Sequence, residues 1–234
     1  MKHTLPLLLL FLCRQLPSQN QTSVEWLPQL SFDYRFNERL SANVNTFLEI
    51  QSLEKREGEK AQTGFNPQTF NLQAGLAYQW TTILNLSIGY QFGWRDLDEE
   101  KKDLEHRSLQ QLSGAYSFGK YRLRARFRTE QRYFKQDNYQ AAHRWRLRPS
   151  LDFPLQGERL DPGETYLNTQ WEFLSNVFED DALRLAEQRA YSGIGWLLFN
   201  GYRIETGLEY RSRRNTAGNG FRRRVFWRVN FTFR

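Results

Sequence analysis

The chain has 234 residues, with 33 Lys or Arg against 26 Asp or Glu and a formal charge of +7. Its 15% aromatic content excludes a disordered segment, because disordered chains lack the side chains needed to bury surface. A single cysteine excludes a disulfide framework and any cysteine-based zinc site, and no run of about 18 apolar residues is available for a transmembrane helix.

Residues 1–18 read as an export signal. Lys2 and His3 precede the apolar run Leu5, Leu7, Leu8, Leu9, Leu10, Phe11 and Leu12, and polar Gln15, Ser18, Gln19 and Asn20 follow. Cleavage is placed after the small Ser18. The rival reading, lipidation at Cys13, is disfavoured by the bulky Leu12 before it. Residues 19–234 then form one domain.

Strict period-2 patterning governs that domain, the mark of strands with two chemically different faces. In 70–80 the even positions are Phe70, Leu72, Ala74, Leu76, Tyr78 and Trp80, while the odd ones are Asn71, Gln73, Gly75, Ala77 and Gln79. Taken in chain order, strands are expected near 24–36, 40–52, 67–80, 83–95, 105–118, 121–134, 141–154, 164–177, 187–199, 202–213 and 221–233. Most reach the roughly 9–11 residues that cross a bilayer at a tilt. Helical periodicity is absent at comparable length, and 179–190 is read as a short helix in a loop.

The turns check the face assignment. Apolar faces fall on even numbers through Phe118 and on odd numbers from Tyr121, as a two-residue turn at Gly119-Lys120 requires. Phe199-Asn200-Gly201 reads as a three-residue loop with Gly201 in the left-handed region, and Asn37-Glu38-Arg39 and Thr81-Thr82-Ile83 fit the same count. Connections after Phe36, Trp80, Phe118 and Leu198 are tight, whereas 53–66, 96–104, 178–186 and 214–220 are longer. Aromatic residues gather at both strand ends: Phe36, Tyr78, Trp80, Phe118, Tyr121, Phe153, Tyr202 and Phe233 at the short-turn end, and Tyr90, Trp94, Tyr133, Tyr210 and Phe221 at the other. Short turns at one end, longer loops at the other and two aromatic girdles describe outer-membrane barrels. The fold class expected is therefore all-β: a closed, antiparallel, up-and-down transmembrane β-barrel of about ten to twelve strands. Eleven strands would put the mature N-terminus at the long-loop end, so an even count, ten or twelve, is expected: either one strand is miscounted, or 19–27 run through or along the barrel, with Pro28 as the place for a break.

The most unusual local feature is the ladder Arg122, Arg124, Arg126, Arg128, Glu130 and Arg132 on one strand face, followed by Arg144, Arg146 and Arg148 on the next. A hairpin centred near Asp137 is expected to align Glu130 with Arg146 and Asp152 with Arg124. The remaining arginines need other acids, for which Glu25, Asp33, Glu49, Glu164, Glu172, Glu187, Glu205 and Glu209 are the candidates. The plain reading is a lumen filled by interlocking charges, since a small barrel is packed by side chains and buried charges demand partners. The sharper reading is an anion-attracting interior, because arginine rings favour anions in pores and guanidinium forks grip carboxylates and phosphates. Nucleic-acid binding is disfavoured, because the arginines alternate with membrane-type apolar residues in an exported chain.

Catalytic patterns are sparse. His3 lies in the signal, His143 falls on an apolar face near a strand end, and only His106, between Glu105 and Arg107, could join a serine in a hydrolase-like site. No Gly-x-Ser-x-Gly, HExxH or P-loop pattern accompanies it, so no catalytic residue, cofactor or metal is assigned. Asp96, Asp98, Glu99, Glu100, Asp103 and Glu105 read as a solvated acidic loop, with a weak divalent-cation site as the alternative.

The stretches Trp26-to-Phe36 with the Asn37-Glu38-Arg39 turn, Arg144-Trp-Arg-Leu-Arg-Pro149, Glu187-Gln-Arg-Ala-Tyr-Ser-Gly193 leading into Asn200-Gly201, and the aromatic last strand resemble an uncharacterised family of bacterial outer-membrane barrels classed as a domain of unknown function. The resemblance covers nearly all of 19–234 and implies an outer-membrane barrel without a known activity. The expectation is thus a monomeric, non-enzymatic, structural or accessory outer-membrane protein that meets membrane lipids and the barrel-assembly machinery and binds no nucleic acid. Its lumen ladder is Arg122, Arg124, Arg126, Arg128, Arg132, Arg144, Arg146 and Arg148, countered by Glu130, Asp152, Glu172, Glu187, Glu205 and Glu209. Alternatives are a narrow anion-biased pore, a lipid-modifying enzyme, and a secreted lipocalin-like binder with its apolar faces turned inward.

Overall fold

The computed structural model describes residues 21–234 except 57, 98, 100–102, 136–138, 178–182 and 215–219. The expected export signal, its expected cleavage after Ser18 and the alternative at Cys13 lie outside the described residues. Eleven strands close into one barrel: β1 (Gln21–Arg35), β2 (Leu40–Arg56), β3 (Gln62–Gln79), β4 (Leu84–Arg95), β5 (Asp103–Phe118), β6 (Tyr121–Phe134), β7 (Ala141–Pro154), β8 (Thr165–Val177), β9 (Leu183–Leu197), β10 (Arg203–Arg214) and β11 (Phe221–Phe233). Consecutive strands are antiparallel, and β1 closes the ring by pairing parallel with β11 in one unbroken register, from Gln21↔Arg222 to Phe32↔Phe233.

The barrel departs from expectation in two places. The count is odd, neither ten nor twelve, because residues 21–27 stay in the wall instead of leaving it at Pro28. Pro28 sits opposite Val229 of β11, and the ladder toward β2 skips Leu27 and Pro28 between Trp26↔Ile50 and Gln29↔Phe47. A missing N–H therefore interrupts one side of the strand only. Pro149 repeats the device, paired with Ala125 on one side and facing a gap toward β8 between Leu147↔Phe173 and Ser150↔Gln170 on the other. The second correction is the helix expected at 179–190, where residues from Leu183 onward are strand β9. A bulge there places Ala186 as an extra residue between Leu174↔Glu187 and Ser175↔Leu185, and the resulting change of face hides the alternation.

The turns form as expected. Phe118 pairs with Tyr121 across Gly119 at φ 53, and Gly201 closes the β9–β10 connection at φ 80. The other two tight turns share one device: Asn37 Oδ1 accepts from the backbone N–H groups of Arg39 and Leu40 at 2.9 and 2.8 Å, and Thr81 Oγ1 accepts from those of Ile83 and Leu84 at 3.2 and 3.0 Å. The contrast in loop length is weaker than expected. Residues 53–56 and 62–66 belong to β2 and β3, and the connection 155–164, at the short-turn end, is itself long.

Burial is inverted relative to a water-soluble core. Side chains buried inside the ring include Glu25, Glu130, Asn168 and Ser23, all at 1% exposure or less, while Leu76, Ile88, Trp145, Ile194 and Leu208 stand outside. The few apolar groups buried from the lumen side include Leu27, Leu109, Leu174 and Phe226. Outside, the short-turn end carries a run of ring contacts, Phe118–Tyr121 and Tyr121–Phe153 at 5.4 Å and Phe32–Phe233 at 4.9 Å between centroids. The parallel seam is fastened by the Trp26–Trp227 stack at 4.7 Å.

Candidate functional site

Every inward position of β6 from Arg122 to Arg132 carries a charge, and pairing with β7 sets like charges side by side: Arg126↔Arg148 and Arg128↔Arg146. The same occurs at Arg107↔Arg132 between β5 and β6 and at Arg211↔Arg224 between β10 and β11. Directly opposed like charges destabilise a sheet. At three of these four pairs the lumen resolves this by giving two arginines one glutamate. Arg107 and Arg132 both lie 2.6 Å from Glu105. Arg146 and Arg128 meet Glu130 at 2.8 and 3.8 Å, with Arg107 adding a third contact at 3.3 Å. Arg211 and Arg224 reach across to Glu49 on β2 at 2.5 and 3.1 Å. A carboxylate shared by two guanidiniums screens their mutual repulsion and accepts several charge-assisted hydrogen bonds, while the cluster stays net positive.

The expected side-chain pairs form, but the backbone register differs from the expectation. Glu130 lies opposite Arg144, not Arg146, and Asp152 lies opposite Arg122, not Arg124. The ion pairs run diagonally instead, Arg146–Glu130 at 2.8 Å and Arg124–Asp152 at 2.6 Å, because long arginines on tilted strands reach the residue two positions away. Glu172 receives Arg126 at 2.5 Å and Arg146 at 2.7 Å. Arg144 donates to Asn176 at 3.0 Å, Arg128 to Gln111 at 2.7 Å, and Arg122 is exposed at the short-turn mouth. Among the other expected acids, Glu187 holds Arg189 at 2.7 Å, Glu209 holds Arg211 at 2.5 Å, and Glu205 lies 3.5 Å from Arg228 and accepts from the Tyr166 hydroxyl. Glu25 lies 3.6 Å from Arg224, and Asp33 lines a cavity nearer the short-turn end. Glu164 is the exception: its carboxylate accepts from the Asp161 N–H and belongs to the 155–164 turn, outside the lumen network.

Between the walls lies a cavity of about 400 Å³, lined by fourteen arginines and seven acids among the described residues. The profile of a family of proteins of unknown function, DUF2490, matches residues 20–222. The chain belongs to that family. No curated protein and no solved structure matches it.

In this DUF2490 barrel several lumen groups escape a reading by ladder alone. Glu105 and Asp103 are buried on β5 and are not part of a solvated loop, and Asp98 and Glu100 lie outside the described residues. Arg107, Arg189 and Arg211 each follow a glutamate by two positions on the same face, Glu105-His-Arg107, Glu187-Gln-Arg189 and Glu209-Tyr-Arg211, and each bonds to it. That Glu-x-Arg spacing in an alternating strand was the available signal. Phe226 breaks the polar face of β11, and Arg211 stacks over its ring at 3.9 Å, while Arg228 stacks over Tyr191 at 4.2 Å. On the outer face, the Tyr90 hydroxyl bonds to His106 Nδ1 and the His106 ring meets Phe92 and Tyr139. The Ser108 hydroxyl donates to Gln131 at 2.7 Å, so it is committed away from His106.

Proposed function

We propose that this chain is an exported outer-membrane β-barrel with a structural or accessory role, its lumen cross-braced by arginine and glutamate side chains. One observation carries the reading: the barrel is apolar outside and charged inside, with forty large hydrophobic side chains exposed against seven buried among the described residues. Water is a poor solvent for such a surface, whereas hydrocarbon covers it without loss, and the barrel leaves no open sheet edge to satisfy. In this reading the short-turn end faces the periplasm, lipids meet the outer residues, the assembly machinery inserts the chain, and the barrel works as a monomer. Cell fractionation tests it. The mature protein is expected in the detergent-soluble outer-membrane fraction, and recovery from the periplasm or medium without detergent overturns the proposal.

Bracing defines the role further. Glu49 on β2 is joined to Arg211 on β10, which ties walls on opposite sides of the β1–β11 seam. Planar-bilayer recordings of the refolded protein are expected to show no sustained conductance. The surplus of arginine around the central cavity favours a second reading, narrow anion-biased passage. Steady anion-selective current that falls in Arg124→Ala and Arg126→Ala would move the assignment to that reading.

A further inference from the structure

We propose that Arg126 and Arg148, with Arg228 facing them from across the lumen, form a binding site for a small oxyanion bearing a phosphate or carboxylate group. Arg107–Arg132, Arg128–Arg146 and Arg211–Arg224 each close on a shared glutamate. Arg126 and Arg148 are opposed in the same way, yet only Arg126 reaches an acid, Glu172 at 2.5 Å. Glu172 is already engaged on both oxygens by Arg146 and is approached by Arg189 at 3.9 Å. The Arg148 side chain makes no hydrogen bond and no ion pair among the described residues, although it lines the central cavity. The charged groups acting most strongly on it are Arg126, Glu172, Arg228 and Arg124, three of them cationic.

Further donors without acceptors line the same cavity. The Nε–H groups of Arg126 and Arg228 are buried and unpaired, and both residues line the cavity with Arg148. Buried donors left unmade are costly, and a guanidinium fork offers two parallel N–H groups matched to the paired oxygens of a carboxylate or phosphate. Three opposed arginine pairs share a glutamate, whereas Arg126–Arg148 and Arg213–Arg222 share none; in the first of these Arg126 has Glu172 and the Arg148 fork is left for an acid that a ligand brings. The cavity of about 400 Å³ falls within the size range of small-molecule sites. The site does not depend on where the barrel resides, and its occupation is measured in detergent.

The full chain, folded in detergent, is titrated calorimetrically with inorganic phosphate and, separately, with succinate, against a constant chloride background. Saturable binding of one of the two ions is expected, and which one binds identifies the headgroup chemistry. Arg148→Gln is expected to weaken binding by about tenfold or more, whereas Arg35→Gln, at the exposed short-turn mouth, leaves it unchanged. If Arg148→Gln yields no heat-modifiable folded band, Arg148→Lys carries the test. It keeps the charge and removes the fork, and several-fold weaker binding is expected. Absence of binding by either ion, or equal affinity in the folded Arg148 variant and the parent, overturns the proposal.

Discussion

The two sides of the lumen are built on opposite principles. Apart from Glu49 and Arg95, strands β2 to β4 turn inward Asn43, Asn45, Asn71, Gln73, Gly75, Ser87, Gly89, Gln91 and Gly93, neutral groups that bond to one another, as Gln91 does to Asn71 at 2.5 Å and Asn45 to Asn43 at 3.2 Å. Strands β6 to β11 turn inward long charged groups that bond across strands, as Arg126 and Arg146 do to Glu172. The neutral wall provides the room into which the charged wall projects, and Arg128 reaches over to Gln73 at 3.3 Å. Gly75 and Gly89 are opposed between β3 and β4, where a Cβ on Gly89 would press on the Ala74 carbonyl at 2.8 Å. The contrast teaches that a barrel of this size can fill its interior asymmetrically, with one wall providing reach and the other clearance.

If that division is real, substitutions should cost far more on the charged wall. Glu130→Gln is expected to have the largest effect, since the side chain is fully buried and neutralises Arg107, Arg128 and Arg146 together. Removing one partner of a buried ionic group costs about 3–5 kcal/mol, read as a lower denaturant midpoint for loss of the heat-modifiable form. A midpoint equal to the parent's would show that water, not Glu130, neutralises those arginines. Next comes Gly195→Val, where the Tyr166 ring lies in the space a Cβ would occupy. Overpacking is expected to cost about 1–3 kcal/mol by the same assay, and partial recovery in Gly195→Val with Tyr166→Leu would locate the strain in that ring.

Which of these contrasts could be seen before folding depends on how local its cause is. Strand faces were legible because alternation is written residue by residue, and turns were legible because Gly119, Asn37 and Thr81 act on neighbours in sequence. The β3 start at Gln62 and the β9 start at Leu183 were missed because bulges near Gln68 and Ala186 shift the alternation by one. The odd strand count was present in the pattern but hidden by the parity usual in such barrels, since closure joins Gln21 to Arg222, partners at opposite ends of the chain. For the lumen, the arginine face was legible from parity, whereas the sharing of Glu172 and the isolation of Arg148 arise only when three strands converge. Partner choice among charges is a property of the closed ring.

The smallest expected effect lies on the neutral wall and sharpens the comparison most. Asn71 is 3% exposed and its side-chain oxygen accepts from Gln91, so Asn71→Ala strands a buried donor and should cost about 1 kcal/mol. Replacing both partners, Asn71→Leu with Gln91→Met, removes donor and acceptor together at nearly constant volume. An apolar replacement of a whole hydrogen-bonded pair is close to neutral, so the double variant should recover to within about 0.5 kcal/mol of the parent. Between the walls, the analogous exchange of Glu49 on β2 and Arg211 on β10 cannot recover, because Arg224 loses its closest carboxylate and Glu209 loses its closest guanidinium. A double variant on the neutral wall that falls as far as Glu130→Gln would mean its amides brace the barrel too, and the division of labour between the walls would have to be abandoned.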